Sequence, residues 1–211
     1  MNYRIFRDIN QLAGRYSLLD TIMITISQKA RYLYILLLIL MWFRNNFYKK
    51  ITLYAGISTG VTLLINIFIK RFYFKPRPFL RHKVHLLPPS PSKKNSSFPS
   101  THITLASALA TSVLFYKRLL GCIMWLLAFL IGLSRIWMGQ HYPSDIIGSA
   151  LLGSLTAIVV NITVRVWNPL LDGFYILAII LLIIPVMIIG NETTNNPHYV
   201  KLTCIGYAKR H

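Results

Sequence analysis

ITLYAGISTGVTLLINIFI, residues 51 to 69, carries no charged side chain and is close to the roughly 20 residues a helix needs to cross a bilayer. A helix at the edge of a soluble core shows a polar stripe, and this stretch shows none. Two further runs read the same way, 146 to 164 (IIGSALLGSLTAIVVNITV) and 174 to 190 (FYILAIILLIIPVMIIG). Between the run at 51 to 69 and that at 146 to 164 lie the apolar segments 103 to 116 and 119 to 133, parted by Lys117 and Arg118. In lipid only a structure that satisfies its own backbone can span, so these five segments predict helices.

At the N-terminal end, residues 17 to 28 and 32 to 43 are apolar but short, with Lys29 and Arg31 between them. Three arrangements fit: an interfacial helix followed by a short span, two short spans, or one long tilted helix. The expected fold is all-α, a polytopic transmembrane bundle of about six spans forming one domain over 1–211. Small residues at Ala106, Ala108, Ala110 and Ser112 and at Gly148, Ser149, Gly153 and Ser154 place two helices in its interior, because they allow close approach.

Composition agrees with this class. Of the 211 residues 55% are hydrophobic, and 23 Lys and Arg face 5 Asp and Glu for a net charge of +18. Two readings of that excess compete: attraction to anionic lipid surfaces, which alone could explain most of it, and a polyanion site, favoured only where cations cluster with other polar groups, as in Lys70, Arg71, Lys75, Arg77, Arg81 and Lys83. No nucleic-acid partner is expected. Cys122 and Cys204 offer neither a disulfide framework nor a CxxC spacing. Residues 1 to 16 are charged throughout and do not read as a cleavable signal peptide.

Three polar knots sit at helix ends: Lys70 to Pro78, Pro99 to His102, and Ser134 to Asp145. Two helices connect the second knot to the third, so parity puts all three on one membrane face. A shared site is therefore geometrically possible. Lys70, Arg77 and Arg135 stand at span ends, where snorkelling to the interface competes with phosphate binding as their reason. Arg135 lies within an apolar run and needs a buried anion; Arg offers planar forks to phosphate oxygens and Lys a point charge. Ser100 reads as an N-cap, and the unpaired amides beside it form an anion site that His102 faces. Asp145 suits the positive end of a helix dipole, or else accepts a hydrogen bond from His141 and aims that ring's other nitrogen into the site.

Lys70-x6-Arg77-Pro78, Pro99-Ser100-Thr101-His102 and Ser134-Arg135-x5-His141-x3-Asp145 resemble the three signature motifs of the type 2 phosphatidic acid phosphatase superfamily. The contexts at 73 to 79 and 132 to 137 further resemble the bacterial undecaprenyl-diphosphatases associated with bacitracin resistance. The resemblance implies that Lys70, Arg77, Ser100, Thr101 and Arg135 bind phosphate, that His141 attacks phosphorus, and that His102 protonates the leaving oxygen, with Asp145 supporting. It implies no cofactor and no metal, in keeping with the scattered Asp8, Asp20, Asp145, Asp172 and Glu192. Lys75 or Arg81 would then engage the second phosphate of a polyprenyl diphosphate. Thr101 departs from the pattern, which commonly has Gly there.

His82 and His85 read as loop residues, having no third ligand nearby. So does the 88–97 stretch PPSPSKKNSS. Rival functions are a phosphatidylglycerophosphate or phosphatidate phosphatase, a non-enzymatic transporter, and a haloperoxidase. The resemblance implies a cell-membrane location with the site on the outer face. Lysines and arginines of the 70–100 stretch, Lys93 and Lys94 among them, oppose that orientation by the positive-inside tendency.

Overall fold

The computed structural model describes residues 2–89 and 96–166. Its elements are α1 (Asn2–Asn10), α2 (Ser17–Arg44), α3 (Asn46–Phe72), α4 (Pro78–Arg81), α5 (Thr101–Leu114), α6 (Arg118–Trp137) and α7 (Pro143–Val166). Among the described residues, α2, α3, α6 and the Pro143–Arg165 part of α7 are long and apolar enough to cross a membrane, and α5 is a shorter apolar helix. The run at 174 to 190 lies outside the described residues, as do Lys93, Lys94, Asp172, Glu192 and Cys204.

The N-terminal ambiguity resolves to one helix. α2 runs unbroken through Lys29 and Arg31, about 42 Å at 1.5 Å per residue, and so is long enough to need tilt in a 30 Å core. Its long stem leaves the two cations midway along a span. α3 starts cleanly after it because Asn45 is extended and its side chain accepts from the Tyr48 amide at 3.1 Å.

α5 is the centre of the bundle, packed against α3, α6 and α7. Ala106, Ala108, Ala110 and Ser112 are all buried there. At Gly153 of α7 an added Cβ would fall 2.2 Å from the Ser107 hydroxyl oxygen and 2.2 Å from the Thr104 carbonyl oxygen. Only glycine permits that approach. Polar bonds cross the same interior: Asn161 Nδ2 donates to Ser112 at 3.1 Å and to Ser58 at 3.3 Å, which satisfies groups that lipid cannot.

α1 was not legible as an element in the charged segment 1 to 16. It buries Phe6 and Asn10 and packs against α6 and α7. Asn10 Nδ2 donates to the carbonyls of His85 and Trp137, both at 2.8 Å, while its Oδ1 accepts from the His85 amide at 2.9 Å. One side chain thus fastens the loop after α4 to the end of α6. The turn there needs Gly139 at φ 75, where an added Cβ would lie 2.9 Å from the His85 carbonyl oxygen.

Candidate active site

Lys70 closes α3, Ser100 precedes α5, Arg135 lies in the last turn of α6, and Asp145 lies in the first turn of α7. These ends meet on one side of the bundle, as helix parity predicts. Lys70 Nζ donates to Thr101 Oγ1 at 2.6 Å, and that hydroxyl lies 3.4 Å from Asn66 Oδ1. Asn66 in turn donates to Thr104 at 2.6 Å. The threonine that stands in place of glycine therefore gives the lysine a fixed partner. No non-glycine residue among those described has positive φ, so Thr101 sits there without backbone strain.

His141 is 3% exposed in the segment between α6 and α7. Its Nδ1 lies 2.7 Å from the Ser97 carbonyl oxygen. A carbonyl only accepts, so Nδ1 carries the proton and Nε2 the lone pair. Nε2 faces Arg77 Nη1 at 3.4 Å. Burial, followed by the charges of Arg77, Arg135 and Lys70, holds the His141 pKa well below the ordinary histidine value of 6.5. The ring is thus neutral at pH 7, with an unprotonated nitrogen turned toward a guanidinium.

The expected bond from His141 to Asp145 is replaced by a relay. Asp145 is fully buried; it accepts from Ser97 Oγ at 2.5 Å, from the Tyr142 amide at 3.3 Å, and from Lys75, with which it forms an ion pair. Ser97 stands between carboxylate and imidazole because the end of the expected loop folds inward, burying Ser96 and Ser97. Lys75, expected as an outer phosphate ligand, spends its charge on Asp145 instead. Arg81 is exposed on α4.

Arg77 and Arg135 are each 6% exposed. Arg135 Nη1 donates to Gln140 Oε1 at 2.6 Å and Nη2 to the Ser27 carbonyl at 3.3 Å. Both partners are neutral. Its Nε is buried with no partner among the described residues, and so are Ser100 Oγ and Arg31 Nε. Ser100 does not use its hydroxyl to cap α5; its amide donates to Ser149 at 2.7 Å. Leaving a buried donor unmade costs about 1–3 kcal/mol, a cost that an anion beside Arg135 Nε and Ser100 Oγ would remove. His102, half-buried in the first turn of α5, lies in the field of Arg135, Arg31, Lys70 and Arg77.

The profile of the PAP2 superfamily matches residues 51–169. The chain belongs to the PAP2 superfamily.

Undecaprenyl-diphosphatase BcrC of Bacillus subtilis (strain 168) is 40% identical over 180 residues, which is 85% of this chain and 90% of that protein. A protein named bacitracin transport permease protein BcrC, from Bacillus licheniformis, is 28% identical over 76% of this chain and 79% of its own length. The crystal structure of Aquifex aeolicus LpxE superposes with a TM-score of 0.63 at 31% identity, covering 75% of this chain and 93% of that one. Three residues that the structure brings to this site escaped the sequence reading, Asn66, Ser97 and Gln140, and none of them left a signal in the sequence.

Proposed function

We propose that this membrane protein hydrolyses undecaprenyl diphosphate to undecaprenyl phosphate and inorganic phosphate through a phosphohistidine, on the outer face of the cell membrane. The observation that carries the chemistry is a neutral His141 with Nε2 turned toward Arg77, its proton held on Nδ1 by the Ser97 carbonyl. In this reading Nε2 attacks the terminal phosphorus and the bond to the bridging oxygen breaks. His102, charged as imidazolium once the bound diphosphate offsets the surrounding cations, gives that oxygen its proton and becomes neutral. A water then attacks the phosphohistidine, His102 takes the water's proton, and the P–N bond breaks to release phosphate.

Lys70, Arg77, Arg135, Ser100 and the helix-start amide of Thr101 hold the phosphoryl oxygens, supplying the charge neutralisation on which phosphoryl transfer depends. Asp145 acts through Ser97 and Lys75, fixing the segment that orients His141. The choice of lipid rests on likeness to the B. subtilis diphosphatase. Recycling that carrier would serve cell-wall synthesis and leave less diphosphate for bacitracin to trap.

Side-by-side kinetics in detergent should give a higher kcat/KM on undecaprenyl diphosphate than on phosphatidate or phosphatidylglycerophosphate. A tenfold preference for phosphatidylglycerophosphate, about 1.4 kcal/mol in transition-state binding, would overturn the substrate. In the same assay orthovanadate should inhibit, because a trigonal-bipyramidal oxyanion suits a cationic pocket, and EDTA should leave turnover intact. Loss of activity in EDTA with recovery on magnesium would sink the phosphohistidine route.

The B. licheniformis relative's name favours a second reading, transport of bacitracin. Resistance that persists in cells carrying His141→Ala would support transport over hydrolysis.

A further inference from the structure

Arg31 belongs to none of the three signature motifs, yet it stands midway along the spanning helix α2 (Ser17–Arg44). A guanidinium at that depth is unfavourable unless it faces a polar partner. The partner is not a described carboxylate: Asp8 pairs with Arg7, Asp20 accepts from Trp137 and the Gly14 amide, and Asp145 pairs with Lys75. Among the described residues Arg31 Nη2 reaches the Tyr32 hydroxyl, at 3.2 Å, and Nε is buried without a partner.

Its direction follows from the helix. Ser27 is one turn earlier on the same face, and the Ser27 carbonyl accepts from Arg135 at 3.3 Å. The electrostatic reach of Arg31 to both His102 and Arg135 agrees. Beside it, Lys29 Nζ and the Arg31 guanidinium lie 5.7 and 4.9 Å from the centre of the same Tyr32 ring. Two like charges held on one exposed ring favour an anion between or beside them.

We propose that Arg31, with Lys29 outside it, forms a second phosphate subsite that binds the phosphate left on the lipid when a lipid diphosphate is cleaved. The inference rests on the diphosphate reading above and takes over the task first expected of Lys75. The subsite selects diphosphates over monoesters, because a monoester leaves its Nε unmade. It also holds the leaving group, whose bridging oxygen gains negative charge as the P–O bond opens.

The test uses the full chain purified in detergent, with Arg31→Gln and Arg31→Lys. Arg31→Gln should lower kcat/KM on undecaprenyl diphosphate at least tenfold while changing phosphatidate hydrolysis less than twofold. It should raise the Ki of methylenediphosphonate tenfold and leave that of orthovanadate unchanged; Arg31→Lys should recover part of each loss. Equal losses on both lipids, at an unaltered thermal unfolding midpoint, would make Arg31 a structural residue and overturn the subsite. The inhibitor pair decides the matter without the lipid. An unchanged methylenediphosphonate Ki overturns the subsite, whereas a wild-type preference for monoester lipids overturns only the choice of substrate.

Discussion

His141→Ala should reduce phosphate release by roughly 10⁴-fold or more, the scale on which enzymes lose turnover with their nucleophile, while the protein still inserts and folds. The segment that carries the ring is held independently by the Tyr142 amide and Ser97 hydroxyl on Asp145, so expression and thermal unfolding should stay near wild type. Rapid-quench labelling with a ³²P-labelled diphosphate should trap an acid-labile phosphoenzyme in wild type and none in the variant. Retention of more than a few per cent of turnover at normal expression would remove His141 from the nucleophile's role. The pH profile gives an independent reading. The His141 pKa is lowered by burial and then by Arg77, so the nucleophilic neutral form persists on acidification. The acid limb of kcat/KM, which reports the free enzyme, should accordingly lie below pH 6.5, the ordinary histidine value. A limb above it would mean that another group titrates.

Arg135→Gln should lower kcat by about 10³-fold, the effect of deleting one preorganised donor to a developing oxyanion. The side chain is buried, its described partners are neutral, and Nε is unmade among the described residues; in the proposed mechanism what it stabilises is absent until an anion arrives. Removing it also relieves repulsion with Arg77, which lies within its field. Unfolding measured without phosphate should then show the variant as stable as wild type or more so, an outcome that separates a ligand-binding cation from a structural one. Arg135→Lys should recover only part of the rate, since a point charge lacks the planar fork. Activity within tenfold of wild type in Arg135→Gln would end its assignment as a phosphate ligand.

The bundle and the meeting of the three motifs were readable because each rests on short-range rules. Apolar runs of spanning length make helices in lipid, and counting crossings fixes which ends share a face. What escaped depends on pairings distant in sequence. Ser97 approaches His141 and Asp145 across separations of 44 and 48 residues, and Lys75 meets Asp145 across 70; no periodicity marks a loop serine or lysine for that role. Asp145 and His141 share a motif, so a direct bond was the natural expectation, and only the inward fold of residues 96–97 replaces it. Arg31 appeared to interrupt two short apolar runs because propensity says nothing about whether a charge at depth faces lipid or a site. α1 was hidden by its charges, which face outward while Phe6 and Asn10 face in.

The glycine at position 153 makes no contact with any residue assigned to chemistry, yet it fixes how far α7 can lie from α5. Asp145 is eight residues earlier on the same helix, about 12 Å along its axis, and Ser100 and His102 open the helix it presses against. A methyl group at 153 has only main-chain and hydroxyl oxygen to displace, so the two helices must separate rather than repack. A shift of about 1 Å at a catalytic centre is enough to cost on the order of a hundredfold in rate. In a genetic screen scored by bacitracin sensitivity, Gly153→Ala would therefore fall among the active-site alleles although it lies in the middle of the bundle. Alleles of Leu155 and Val159, which point outward from the same helix, would fall among the silent ones.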